Sequence, residues 1–193
     1  NQYLTSFQST TVAWMVCDQL LQDRIEANSP EKATQRQQTL FFAAQTLHTK
    51  CRADMFQLPT ESRTSLRDSL VRHLQRLIGE NRALTLRMAM CISALAVQIE
   101  WLSIVSDLLA APPDAAQVKF TMLILQTLPE ECASDRLLLP EQSSRFEMRD
   151  HLISSSPEVL SFLHDNMSEA DLVLKVLHLW IRYVPVHPQA LVE

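Results

Sequence analysis

The 193-residue chain contains a single glycine, Gly79. Glycine supplies the positive φ angles of tight hairpins, phosphate loops and nucleophile elbows. One glycine therefore excludes the Walker loop, the dinucleotide fingerprint and G-x-S-x-G, and it points to an all-helical chain. Paired cysteines are also missing. Cys17, Cys51, Cys91 and Cys132 are scattered, with no C-x-x-C, and read as reduced core thiols of a cytosolic or nuclear protein rather than a disulfide framework. There is no basic excess. The net charge of -5 disfavours a nucleic-acid surface, so no direct nucleic-acid partner is expected, whereas basic protein partners are compatible. Long apolar runs are absent too. The most apolar segments are interrupted by Gln98 and Glu100, or by Lys175, His178 and Arg182, so no membrane insertion is expected. No secretory signal is visible, and the chain opens within a helical pattern at Asn1, so a preceding segment is expected.

What is present is a hydrophobic content of 47% against 20% charged residues, enough for a core and too apolar for global disorder. Tyr3, Leu4 and Phe7 read as the end of an amphipathic helix. A second helix is expected from Thr11 to Arg24, with Val12, Met15, Val16, Leu20 and Leu21 on its apolar side. "EANSPEKATQ" reads as an exposed loop. A third helix spans Gln35 to Phe56, where Leu40, Phe41, Ala44, Leu47, Cys51 and Met55 recur at helical spacing. After Pro59, Thr60 serves as an N-cap. Leu66, Leu70, Leu74 and Leu77 then form one stripe, and Gly79 stands where a left-handed helix end is expected.

Arg82 to Ile99 is apolar nearly all round, the pattern of a helix sandwiched between neighbours. Trp101 to Ala110 gives a short helix. Asp114 caps another that runs through Leu128 and stops at Pro129. Pro140 opens a helix to Ser154. Ser156-Pro157-Glu158 reads as an N-cap and first turn. Ser168 to Asp171 resembles a capping box before the last helix. Helix pairs thus open near Thr60, Trp101 and Pro140, a spacing of about 40 residues that HEAT and armadillo arrays share. Each pair needs neighbours to bury its faces. The fold class expected is all-α, a superhelical solenoid of HEAT-like helix pairs, over residues 1–193 as one segment.

No catalytic, metal or cofactor site emerges. The histidines form no H-E-x-x-H, and no Cys or His pair has zinc spacing. Ser143, Ser144, Asp150 and His151 read as polar helix and cap residues. The basic residues of "SLRDSLVRHLQR" read as a solvated face interleaved with Asp68. Met88, Met90 and Met122 read as core. On the third helix, Gln45, Thr49, Lys50 and Arg52 lie away from the apolar stripe.

The blocks "YLTSFQ", "AWMVCDQLLQ", "FFAAQTLHTK", "QLPTESRTSLRDSL", "ALAVQIEW" and "LQTLPEE", in this order and spacing, resemble the N-terminal part of the transportin-SR group of importin-β nuclear transport receptors. Importin-13 is a near relative of that group. The likeness runs in register from Tyr3 to Glu131 and more loosely to Tyr183. It implies a HEAT superhelix and an N-terminal segment of a longer, non-enzymatic receptor that shuttles between cytoplasm and nucleus. In this frame Asn1 to Gln8 would be the second helix of a first repeat. Thr11–Arg24 with Gln35–Phe56 would form the second repeat, Thr60–Ile99 the third, Trp101–Leu128 the fourth and Pro140–Tyr183 the fifth.

The resemblance further implies that Ran-GTP contacts the second, concave helices. Arginine-serine-rich cargo would bind mainly through later repeats, and nucleoporins are further partners of such receptors. "LHTK" stands where such receptors carry polar contacts, which nominates Gln45, His48, Thr49, Lys50 and Arg52, with Arg82 and Arg87 on the next inner helix. The alternatives are ordinary solvated residues and a helical-repeat scaffold with no GTPase partner. The chain departs from the pattern in lacking the first helix of the first repeat and in the longer Glu26–Gln35 loop, which contains Pro30.

Overall fold

The computed structural model describes residues 2–23 and 29–185. Every regular element among them is helical: α1 (Gln2–Gln8), α2 (Val12–Gln22), α3 (Pro30–Ala53), α4 (Thr60–Leu77), α5 (Arg82–Gln98), α6 (Ile104–Leu109), α7 (Ala115–Ala133), α8 (Ser143–Ser154), α9 (Ser156–Asp165) and α10 (Ala170–Tyr183). Short 3-10 turns at Met55–Gln57 and Met167–Glu169 precede α4 and α10. The chain divides into two compact units, Asn1–Ile92 and Ser93–Glu193, with the boundary inside α5. The fold class is all-α, built of HEAT-like helix pairs.

In the first unit, α2 packs on α3. The first helices of successive pairs are joined to each other, and so are the second helices. Asp18 of α2 meets Ser69 and His73 of α4. Ala44 of α3 accepts from Cys91 Sγ of α5 at 3.4 Å. Leu70, Leu74 and Leu77 of α4 are buried, each contributing about 1.5–3 kcal/mol. Gly79, at φ +93°, ends that helix in the left-handed region, where other residues are strained.

In the second unit, Ser93 Oγ meets Thr127 Oγ1 at 2.7 Å, joining the end of α5 to α7. α7 also packs on α6, α8 and α10, and α9 on α8 and α10. Arg145 donates to the carbonyls of Cys132, Ser134 and Leu137, which holds the 134–142 connection to α8. Glu100 takes a positive φ of 54° just after α5, where a glycine would be least strained. Its carboxylate accepts from Ser144 Oγ at 2.7 Å.

Several local expectations need correction. α2 buries Ala13, Trp14, Cys17 and Leu21, while Val12 and Met15 are exposed. Small side chains permit close helix approach, and Ala13 and Cys17 on α2, like Ala43 and Ala44 on α3, are fully buried. Phe41 is likewise exposed. α3 begins at Pro30 rather than Gln35, because Ser29 accepts from Lys32 N and Pro30 occupies the first turn, where a proline costs nothing. Arg24 and most of the preceding loop lie outside the described residues. Thr60 is the first helical residue, not the cap. α8 begins at Ser143, three residues after Pro140. Ser156 opens α9, with its hydroxyl donated back to Leu152 O. No side-chain cap forms before α10.

Most telling, α7 continues through Pro129 to Ala133. A proline inside a helix leaves the carbonyl four residues back without its N–H donor. That carbonyl is Leu125 O, and the buried indole N–H of Trp180 on α10 donates to it at 2.8 Å.

Candidate partner-binding surface

The nominated residues cluster on the second half of α3 and the first half of α5, but they do not share one environment. Gln45, Thr49 and Arg52 follow one another at one-turn spacing and retain solvent access, with Thr49 Oγ1 donating back to Gln45 O. His48 is 1% exposed, and its Nδ1 lies 3.0 Å from Arg87 Nη1. An arginine can only donate, so His48 Nδ1 is the acceptor. This bond sets the half-buried Arg87 of α5 beside α3. Arg82, at the start of α5, is exposed.

Lys50 departs from the polar-face expectation: it is fully buried. Its ammonium donates to Gln8 O at 3.3 Å, Asp54 Oδ2 at 3.0 Å and Gln57 Oε1 at 2.8 Å, and it lies 5.1 Å from the centre of the Trp14 ring. A buried ammonium is tolerated only when its donors are met, and here three acceptors and an aromatic face meet them. Lys50 therefore joins the end of α1, α2 and the turn after α3. Gln8 Nε2 to Thr46 Oγ1, Gln57 Nε2 to Ser9 O, and the stacked Phe7 and Phe42 rings reinforce the same junction. The available signal was the stripe Ala43, Leu47, Lys50, Asp54, which places a lysine on an apolar face with its carboxylate one turn on.

A second polar cluster joins α2 to α4. Ser69 Oγ donates to Asp18 Oδ1 at 2.5 Å, and His73 Nε2 reaches the same oxygen at 2.8 Å. Arg76 donates to His73 Nδ1 at 3.2 Å and to the carbonyls of Leu21 and Gln22 that end α2. With Nδ1 accepting, Nε2 carries the proton toward Asp18. A serine, a histidine and an aspartate thus converge, but the imidazole nitrogen nearest the hydroxyl is committed to the carboxylate and cannot serve as the hydroxyl's base. The hydrogen bond from His73 holds the Asp18 carboxyl below the usual carboxylate range, against the opposing effect of partial burial. The cluster is a helix-to-helix clamp. Arg76 remains exposed, as its place on the solvated face predicts, while its guanidinium caps the end of α2.

The four cysteines are free and buried. Burial pushes the Cys132 thiol up to about 11 and raises Cys17, so neither is a nucleophile near neutral pH. Among the described residues no group of His, Cys, Asp and Glu is arranged to hold a metal, and no helix is long and apolar enough to cross a membrane. Met88 and Met122 are core residues.

Residues 81–192 match the family model described as Exportin 1-like protein. Over 96% of its length the chain is 28% identical to an uncharacterized protein of Schizosaccharomyces pombe, of which it spans 20%. It is 27% identical to Transportin MOS14 of Arabidopsis thaliana over 94% of the chain and 19% of that protein. It is 30% identical to the mRNA transport regulator MTR10 of Saccharomyces cerevisiae over 84% of the chain and 16% of that protein. The chain belongs to the exportin 1-like protein family, of karyopherin-β type. It spans about a fifth of the length of the curated relatives it matches.

Proposed function

We infer that this chain is the N-terminal HEAT segment of a nuclear import receptor of the transportin-SR kind, and that it binds Ran-GTP through the accessible sides of α3 and α5. Such a receptor does no covalent chemistry. Ran-GTP and cargo bias one flexible structure in opposite senses, so each lowers the other's affinity. The supporting observation is the pairing of the second helices: His48 and Arg87 bring α3 and α5 side by side, with Gln45, Thr49, Arg52 and Arg82 at their accessible sides. In this reading Lys50 and His48 position the surface from beneath, and Thr49, Arg52, Arg82 and Arg87 make the contacts. The Arabidopsis relative is named a transportin, which supports the subgroup. Arginine-serine-rich cargo would be held mainly by further repeats, nucleoporins are further partners, and the receptor would shuttle between cytoplasm and nucleus.

The test is calorimetric titration of the chain with Ran, loaded once with a non-hydrolysable GTP analogue and once with GDP. Heat of binding in the GTP form alone is expected. Equal binding of both forms would instead fit a scaffold indifferent to nucleotide.

A further inference from the structure

The sequence holds two serines followed by proline, Ser29-Pro30 and Ser156-Pro157. A kinase that transfers phosphate to such serines needs the hydroxyl free to enter its cleft and the segment able to lie extended. The structure separates the two sites. Ser156 is 3% exposed, lies within the junction of α8 and α9, and its hydroxyl is donated to Leu152 O. Ser29 precedes α3 with extended backbone at φ -151° and ψ 157°. Its hydroxyl oxygen accepts a long 3.3 Å bond from Lys32 N.

The helix it caps resists opening only weakly. Pro30, Glu31, Lys32, Thr34 and Gln35 are all exposed, and the first buried residue of α3 is Leu40. Local opening costs least where little apolar surface is packed, so the first turn can unwind into a kinase cleft while Leu40 to Cys51 stay seated. Lys32, three residues beyond Ser29, supplies the positive charge that many proline-directed kinases select at that distance.

We propose that Ser29, in the sequence Ser29-Pro30-Glu31-Lys32, is a phosphorylation site for a proline-directed serine/threonine kinase. A base of the kinase takes the Ser29 hydroxyl proton. The Oγ–P bond forms as the bond from the γ-phosphorus of ATP to its β,γ-bridging oxygen breaks, and ADP leaves. The product carries about two negative charges at the end of α3 where backbone N–H groups point outward. There the helix dipole favours an anion, and the phosphate oxygens replace the hydroxyl as acceptor for Lys32 N. The modification therefore tightens the first turn of the helix that carries Gln45, Thr49 and Arg52.

The 193-residue chain is incubated with a cyclin-dependent kinase and ATP, then weighed intact and mapped by peptide mass. The expected result is one added phosphate, about 80 Da, on Ser29. Ser29→Ala should abolish it, Ser156→Ala should leave it unchanged, and Lys32→Ala should slow it several-fold. Amide exchange of residues 31–34 should slow in the phosphorylated chain. No incorporation into the unaltered chain, or incorporation undiminished in Ser29→Ala, would overturn the proposal. Incorporation at Ser156 in preference to Ser29 would overturn it equally.

Discussion

Lys50 illustrates how a residue's chemistry depends on its surroundings. As a charged residue beside an apolar stripe it reads as a surface contact. Its ammonium is instead enclosed by Gln8 O, Asp54, Gln57 and the Trp14 ring. Replacing it by methionine keeps the apolar length and strands those acceptors, so Lys50→Met should lower the unfolding free energy by about 2–4 kcal/mol. Thr49→Ala, on the exposed side, should change it by no more than about 0.5 kcal/mol. Urea denaturation of the two variants distinguishes a positioning residue from a contact residue.

Asp18 carries a pH dependence of the opposite kind to a buried acid. Its carboxyl is held below its ordinary value by His73, Ser69 and Gln22, so the folded state favours the charged form. That stabilisation is complete above the ordinary carboxylate pKa near ~4 and is lost as pH falls through the lowered native value. Thermal melts should show the first unit losing stability on acidification below about pH 4, and Asp18→Asn should flatten that part of the profile.

At the scale of elements, some helices were legible and others were not, for identifiable reasons. The Leu70, Leu74, Leu77 stripe, the Gly79 stop and the Asp114 cap, which accepts from Gln117 N at 2.7 Å, follow from local chemistry, and α4 and the start of α7 were read from them. The apolar pattern of Arg82 to Ile99 predicts a sandwiched helix, and this holds for its second half, where Cys91 to Gln98 are buried without interruption, whereas Arg82 and Ala83 at its start are exposed. The helices at Pro30 and Pro129 depart from expectation for separate reasons. Proline breaks a helix by removing a hydrogen bond, and whether the loss is repaired depends on residues far away in sequence. At Pro30 there is no bond to lose. At Pro129 the bereft carbonyl is met by Trp180, 55 residues from Leu125.

This repair can be measured. Trp180→Phe leaves Leu125 O buried without its donor and should cost about 2–4 kcal/mol, cavity included. In a Pro129→Ala background the restored N–H can serve that carbonyl, so the same substitution should cost about 1 kcal/mol less. A double-mutant cycle in urea reports the difference, and strict additivity would disconnect the tryptophan from the proline. Glu100 could not be read in advance either: its positive φ is imposed by the turn after α5, and its compensating bond comes from Ser144.

At the scale of the whole molecule, charge is unevenly divided. Residues 1–92 carry eleven Lys and Arg against eight Asp and Glu, and residues 93–193 carry six against fourteen. The net value conceals this, and the basic unit is the one that bears Arg52, Arg82 and Arg87. Arg52→Glu, which reverses a charge at the proposed contact, should weaken binding of Ran-GTP by about tenfold, as read by surface plasmon resonance, and the difference from the unaltered chain should shrink as salt is raised. The candidate surface was only partly legible from sequence. Helical spacing placed Gln45, Thr49 and Arg52 on one side of α3, whereas the inward turn of Lys50 and the burial of His48 beneath Arg87 depend on α1, α2 and α5 packing around them.

Under the proposed function the accessible sides of α3 and α5 receive the GTP-bound form of Ran. Amide hydrogen exchange of the chain, alone and with an excess of Ran carrying a non-hydrolysable GTP analogue, tests it most directly. Slowed exchange is expected in peptides covering residues 45–52 and 82–87, with no change when the nucleotide is GDP. Protection confined to other helices, or the same protection with GDP, would contradict it.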